Sequence, residues 1–501
     1  MNDIILATYF ISLLILFIFG SHGFVMVFHY FKHHDAEEAD NLSLPEYPAV
    51  TIQLPIYNEL YVVRRLIEAS CAMTYPADKL EIQVLDDSTD ETVALVESIV
   101  EEMRGRGHNI HHICRKSRTG FKAGALREGL ERATGEFIAI FDADFVPRKE
   151  FLLKTLPYFY TGEKIGMVQT RWEHLNGEYS LLTRTQAMAL DGHFVIEQAI
   201  RNKAGFFINF NGTGGIWRKS CIEDAGNWHS DTLTEDLDLS YRAQLRGWKF
   251  KFLKNVTSPA ELPSEINALK SQQFRWTKGA IETARKMLPA VWRSDLPFKL
   301  KWHSTFHLTN NIVFPFILVA GILNIPLMFI KHAGGYEFYF EMMSVFVFAF
   351  IGSFLFYMFS QKDVYPDWRR RIFLFPLFMA GSMGFAVNNS KAVLEGLFKK
   401  KSDFVRTPKY SIEEKNDSWV DKKYVPVKFN WTVIVEIALA IYCLFGVISS
   451  LYYLEIAAIP FQLLFLMGFG FVSYLSVQQA LQARKLKAGK ILEGETAAAH
   501  A

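Results

Sequence analysis

Cysteine is scarce in this 501-residue chain: four residues, Cys71, Cys114, Cys221 and Cys443, far apart in sequence. No pair has zinc-ligand or Cys-x-x-Cys spacing, so they read as reduced, packing thiols and a disulfide scaffold is excluded. An excess of charge of one sign is also missing. The 54 Lys and Arg nearly balance the 52 Asp and Glu, leaving +2. Nucleic-acid binders carry a stronger basic excess, so no nucleic-acid partner is expected. There is no Walker A loop and no Gly-x-Gly-x-x-Gly fingerprint, which argues against an NTPase or a dinucleotide enzyme. Internal repeats and low-complexity linkers are absent too. What the chain has in quantity is apolar: 50% hydrophobic residues against 21% charged, and 44 Phe. That composition excludes disorder and suits lipid-facing helices.

The apolar excess is unevenly placed. Residues 4–30 contain no Asp, Glu, Lys or Arg, long enough to span a bilayer. The start, Met1-Asn2-Asp3, lacks the basic region of a secretory signal, so residues 1–34 are expected to be a retained anchor. His29, Lys32, His33 and His34 put its end in the cytoplasm by the positive-inside rule. Four more spans are expected at 306–330, 338–360, 431–453 and 456–477. Residues 372–398 differ. They lie between Arg369-Arg370-Arg371 and Lys399-Lys400-Lys401, and basic clusters at both ends belong on one side, so this segment reads as interfacial or re-entrant. The organisation expected is an anchor at 1–34, a cytoplasmic domain at 48–297, and a membrane domain at 298–480. The membrane domain has about four spans and an interfacial segment within 361–430, and a cytoplasmic tail follows at 481–501. The turn at Leu454-Glu455 falls outside.

The centre is of another kind. Short β-rich runs at 49–54, 80–85, 136–141 and 167–170 alternate with helical patterns such as 90–103 and 123–132. This is the signature of βαβ units and a mostly parallel sheet with flanking helices. Ligands of such sheets bind beyond the carboxyl ends of the strands. There the first run ends in Tyr57-Asn58-Glu59, the second in Asp86-Asp87 and the third in Asp142-Ala143-Asp144. Converging acids repel unless a cation offsets them, and a hard divalent ion takes carboxylate oxygens together with phosphate. In Asp142-Ala143-Asp144 on an extended segment both side chains point the same way.

Other segments allow two readings each. Lys122, near a helix start between Gly120 and Gly124, suits a phosphate or an ordinary loop-to-helix junction. Asn211-Gly212-Thr213-Gly214-Gly215 suits close backbone approach to a ligand or a tight turn. In Thr234-Glu235-Asp236, ahead of a helix at 239–245, an acid could be a general base or a helix cap. A helix beginning near Pro263-Ser264-Glu265 puts Gln272, Arg275 and Trp276 on one face. That amide, cation and flat ring suit a sugar, and Trp276 equally suits a membrane interface.

Taken in order, Asp86-Asp87, Asp142-Ala143-Asp144, Thr234-Glu235-Asp236 and Gln272-Gln273-Phe274-Arg275-Trp276 resemble the D, DxD, TED and QxxRW series of membrane-integrated family 2 glycosyltransferases. That family includes cellulose, hyaluronan and mannan synthases. The wording of residues 210–218 and 245–250 is similar to the plant cellulose-synthase-like branch that makes glucomannan, and to its bacterial relatives. The resemblance implies a GT-A-like domain inserted between transmembrane helices, working as a metal-dependent inverting hexosyltransferase. Tyr57, Glu59, Asp86 and Asp87 would hold the nucleotide, Asp87 foremost, and Lys122 and Arg275 the diphosphate. Asp142 and Asp144 would bind Mg²⁺ or Mn²⁺. Asp236 would deprotonate the acceptor, with Asn211, Gly212, Thr213, Gln272 and Trp276 lining the acceptor site. Residues 404–409 resemble the FxVTxK gating loop, with Arg406 where Val is the family residue. The span count is lower than in bacterial cellulose synthases, and the tail after residue 477 is short for a cyclic-dinucleotide domain.

The function expected is transfer of a hexose from UDP-glucose or GDP-mannose to a growing β-linked polysaccharide. The protein would be integral to a bacterial inner membrane or a eukaryotic endomembrane, with its catalytic domain cytoplasmic and auxiliary secretion subunits as possible partners. The alternative is addition of one sugar to a lipid such as diacylglycerol or ceramide. A transporter that only binds nucleotide-sugar is disfavoured by the intact Asp236 and Gln272-to-Trp276 motif.

Overall fold

The computed structural model describes residues 1–33, 42–400, 402, 405–420, 422–424 and 431–499, with backbone alone at 483 and over 485–499. His34, Lys401 and Phe404, and the side chains of Lys485 and Lys487, lie outside the described residues.

Seven strands form one sheet: β1 (Val50–Ile56), β2 (Leu80–Asp86), β3 (Ile110–Cys114), β4 (Phe137–Ile140), β5 (Ile165–His174), β6 (Gly215–Arg218) and β7 (Lys249–Ala260). Their order is β3-β2-β1-β4-β6-β5-β7. β1 runs parallel to β2 and β4, β2 to β3, and β5 to β7, while β6 is antiparallel to both its neighbours. The sheet is therefore mostly parallel, as its runs of Val, Ile and Leu foretell. β1 and β2 are buried on both faces, which continuous apolar runs require. Helices Val63–Cys71 and Thr92–Gly105 cover one face through Leu66, Ile67, Val96 and Ile99. Helix Phe121–Arg132 covers the other through Leu126 and Leu130, beside the fully buried Trp217 and Trp228.

Two boundaries depart from expectation. The run expected at 167–170 is part of β5, which continues to His174 because its outer half pairs with β7 past a bulge. The helix expected at 239–245 begins at Glu235. Its first turn holds Glu235, Asp236 and Asp238, which oppose the helix dipole favourably.

Among the described residues, five helical segments are long and apolar enough to cross a membrane: Asn2–His33, Phe298–Ala333, Glu337–Val364, Trp431–Tyr452 and Ile456–Gln482. The pair Trp368–Gly384 and Ala386–Leu397 is bent by 47° and brings the number to six if it crosses as one span. Its second half packs on the long helix Ile266–Arg293. Asn388 Nδ2 donates to Lys270 O at 3.0 Å, and Arg285 Nη1 donates to Gly396 O at 2.8 Å.

Candidate active site

A cavity of ≈ 160 Å³ opens at the carboxyl ends of β1, β2 and β4. Tyr57, Glu59, Asp87, Lys122, Asp142, Asp144, Asn211, Gly212, Asp236, Gln272, Arg275 and Trp276 line it, from seven separate stretches of chain. Two expected residues do not reach the lining. The Asp86 carboxylate is buried and turned away, accepting from Ser88 N at 2.9 Å and pairing with His112 Nε2 at 2.9 Å. Consecutive residues of an extended strand point to opposite sides, so Asp86 faces away where Asp87 faces in. Thr213 lies beneath the floor, where its hydroxyl accepts from Asp142 N at 2.8 Å. It fixes the start of the acidic pair and does not face the pocket.

At the Asp87 end, the Arg115 guanidinium clamps Asp87, with Nε 2.8 Å from Oδ1 and a second short contact from Nη2. Arg118 Cζ lies over the Tyr57 ring, 3.3 Å from its centroid. Glu59 is buried and pairs with Arg406 Nη1 at 2.8 Å. Burial pushes its carboxyl up to about 7 despite Arg406 and Lys409.

In the middle, the ammonium of Lys122 donates to Asp142 Oδ1 at 2.5 Å and to Gly212 O at 2.8 Å. Burial opposes its charge, but Asp142 and Glu235 outweigh burial and hold its pKa above the ordinary value. Asp144 pairs with Lys409. Two carboxylates one residue apart, each meeting an ammonium, are a site built for positive charge. Their hard oxygen donors fit a divalent cation bound with phosphate.

Asp236 is inside the pocket, and burial followed by repulsion from Glu235 pushes its pKa up to about 7. One oxygen accepts from Leu237 N at 2.8 Å. A Cβ built on Gly212, whose φ is +79°, would stand 3.1 Å from Asp236 Oδ2. Glycine there admits the backbone against the carboxylate in a conformation other residues resist. Thr234 makes no side-chain cap. Its hydroxyl bonds Thr283 at 3.1 Å, and Leu233 N donates to Glu282 at 3.0 Å, so the turn is pinned onto helix Ile266–Arg293. That helix is capped by Glu265, which accepts from Asn267 N at 2.8 Å and Ala268 N at 2.7 Å. It carries Gln272, Arg275 and Trp276 into the same cavity, where burial lowers the pKa of Arg275.

Arg118, Trp172, Glu235 and Thr407 also line the pocket, with Arg406 and Lys409. Arg115, Arg118 and Trp172 carried no signal in the chain, because loops and a strand with no catalytic spacing deliver them. The stretch 405–410 reaches the pocket from beyond the bent helix pair and is held by Tyr410 N donating to Glu261 at 3.0 Å.

A parallel sheet with paired acids, a clamped aspartate and a buried carboxylate at its strand ends defines a GT-A-like glycosyltransferase domain. A family model described as "Glycosyltransferase like family 2" matches residues 48–279. The chain is similar to probable glucomannan 4-beta-mannosyltransferase 2 of Oryza sativa subsp. japonica, 43% identical over 290 residues, covering 57% of this chain and 50% of that one. It is 44% identical over 265 residues to glucomannan 4-beta-mannosyltransferase 2 of Arabidopsis thaliana, covering 52% of this chain and 49% of the relative. The chain thus spans about half the length of these curated relatives. A mannosyltransferase from Pyrobaculum calidifontis, solved with GDP-Man and Mn²⁺, has the same fold. Its TM-score is 0.55 at 19% identity, covering 78% of this chain and all of that one.

Proposed function

We propose that this chain is a membrane-embedded, metal-dependent inverting mannosyltransferase that extends a β-linked polysaccharide from GDP-mannose. The observation that carries the reading is the meeting of Asp87, the Asp142/Asp144 pair, Asp236 and the Gln272–Arg275–Trp276 face in one cavity. The similarity to glucomannan 4-beta-mannosyltransferases across the catalytic region favours mannose over glucose.

Asp87, held by Arg115, accepts from the base, and Tyr57 under Arg118 offers it a flat surface. Asp142 and Asp144 would hold Mg²⁺ or Mn²⁺, which would neutralise charge on the diphosphate. Lys122 and Arg275 face the same charge, which grows as the leaving group departs. Asp236 takes the proton from an acceptor hydroxyl resting against Trp276. The new bond forms from that oxygen to the anomeric carbon, while the old bond breaks with its electron pair going to the diphosphate. One displacement inverts the carbon and gives a β-linkage.

Beside this site, a second cavity of ≈ 650 Å³ lies among the apolar helices and suits passage of the product. The catalytic domain is read as cytoplasmic, by the basic ends of its flanking helices. The test is a donor screen of purified protein with GDP-mannose and UDP-glucose, with Mg²⁺, Mn²⁺ or EDTA, followed by linkage analysis. The expected result is a metal-dependent, alkali-resistant β-mannan-type chain. An organic-extractable glycolipid as the product, or transfer from UDP-glucose alone, overturns the reading.

A further inference from the structure

The Asp86 carboxylate, turned away from the catalytic pocket, meets two other side chains that ligate metals. β2 and β3 run parallel, with Asp86 opposite Cys114 and Val84 opposite His112. Residues two apart on a strand share a face, and so do residues opposite one another on neighbouring strands, so Asp86, His112 and Cys114 project together. His112 Nε2 lies 2.9 Å from Asp86 Oδ2 and 3.2 Å from Cys114 Sγ, and the three donor atoms all stand within 4.8 Å of one another. Asp86 is buried and the His112 side chain is 13% exposed. Cys114 is exposed, unlike the buried Cys71, Cys221 and Cys443, and opens the cluster to solvent.

A ring nitrogen carries at most one hydrogen, and this one meets a carboxylate oxygen and a sulfur together. A cation serves all three donors at once. Tetrahedral zinc, with bonds of about 2.0–2.3 Å, sets its ligand atoms about 3.3–3.6 Å apart, a few tenths of an ångström beyond the two contacts here. It takes the imidazole neutral and the thiol as thiolate, releasing the thiol proton to solvent. Sulfur and imidazole nitrogen favour Zn²⁺ over Mg²⁺, whereas Asp142 and Asp144 offer hard oxygen alone. Three protein ligands leave the fourth position of zinc to water. Cysteine spacing could not show this set, because the other two ligands are a histidine and an acid from the next strand.

We propose that Asp86, His112 and Cys114 form a binding site for a thiophilic divalent cation, Zn²⁺ fitting best, separate from the acidic pair in the catalytic pocket. The next residue on each strand turns the other way, and there Arg115 Nε meets Asp87 Oδ1 at 2.8 Å. Zinc would therefore pin the end of β3, a five-residue edge strand, to β2 directly behind the clamp on Asp87. The site does not depend on which sugar the pocket transfers.

The test follows the reaction of Cys114 with a maleimide in the full-length protein in detergent micelles, locating the label by peptide mass analysis. The three buried cysteines are slow internal controls. Micromolar Zn²⁺ should slow the labelling of Cys114 about tenfold or more, and a chelator should restore it. Mg²⁺ and Mn²⁺ should leave the rate within twofold. In His112→Ala and in Asp86→Asn, whose amide oxygen can still accept from Ser88 N, Cys114 should label as before without zinc. The Zn²⁺ concentration for half protection should rise about tenfold or more in each, a loss that even a group supporting a metal ligand produces. Fast labelling of the buried cysteines marks a variant that has not folded, and the other variant then decides. No protection of the wild type by Zn²⁺ overturns the proposal. So does equal protection by Mg²⁺, or protection unchanged in the folded variants, which would mean that the thiol binds zinc alone.

Discussion

A carboxylate that must take a proton near neutral pH needs more affinity for it than a free aspartate has. Asp236 gains that affinity from burial and from Glu235 beside it, which together bring it to about 7. Below that pH it already holds a proton and cannot act as a base; above it, the carboxylate is free. Transfer is therefore expected to rise with pH to a plateau, with an acid limb centred near 7 in kcat/KM. Asp236→Asn should cut kcat by about 10²–10⁴-fold, the usual range for losing a general base, and leave nucleotide binding within twofold. Initial rates from pH 5.5 to 9, with nucleotide titrations on both proteins, check this. At this scale the chain was legible where residue types carry chemistry by spacing. Asp142, Asp144 and Asp236 stand out in sequence, and all reach the cavity. Asp86 was misread with its neighbour, since the sequence gives two adjacent acids and only the strand's pleat decides which one faces in. Arg115 was missed, because nothing before folding brings its fork 2.8 Å from Asp87.

Elements were legible where burial writes a pattern. β1 and β2 are buried throughout and read as apolar runs. β3, β6 and β7 were missed. β6 is four residues following a glycine-rich turn, and β7 opens on an alternation of Lys with Phe, a strand signal that lasts only four residues before Leu253-Lys254-Asn255 breaks it. The helix Ile266–Arg293 shows how one element sets the site. A Cβ on Gly279 would stand 2.5 Å from Thr234 Cγ2 and 2.9 Å from Thr234 N, closer than any real contact. Gly279→Ala should therefore push the Thr234–Asp236 turn off the helix. Alanine favours a helix over glycine by about 1 kcal/mol, so the melting temperature should hold while kcat falls about tenfold or more. Steady-state kinetics beside a thermal melt separate the two effects. The same helix is tied to the membrane domain by Lys270, whose Nζ donates to Glu436 at 2.6 Å and to Ser476 at 2.9 Å, all three buried. Lys270→Met strands a buried carboxylate and should cost about 3–5 kcal/mol, whereas Lys270→Met with Glu436→Leu removes both charges and should recover most of the loss. Unfolding of the single and double variants in detergent is the measurement.

At the scale of the whole molecule, the question is how often the chain crosses the bilayer. Hydropathy finds five crossing helices and leaves the bent pair Trp368–Gly384 and Ala386–Leu397 undecided. The flanks of that pair argue against a crossing. Before it, Asp363 pairs with Lys254 of β7 at 2.8 Å. After it, Arg406 pairs with Glu59 at 2.8 Å and Lys409 pairs with Asp144. Both flanks therefore touch the catalytic domain, and a segment entering and leaving on one side cannot cross. Basic clusters at its two ends said the same in sequence. If the pair does not cross, Glu414 is expected on the catalytic side, and Gly335, in the turn between Phe298–Ala333 and Glu337–Val364, on the opposite side. Single cysteines introduced at Gly335 and Glu414, in a chain with its four native cysteines replaced, report the arrangement directly. In sealed vesicles with the catalytic side facing in, a membrane-impermeant maleimide should label Gly335→Cys at once. Glu414→Cys should react only after detergent opens the vesicle. Labelling of Glu414→Cys in intact vesicles would mean six crossings, and would carry Arg406 and Lys409 away from the very carboxylates they meet.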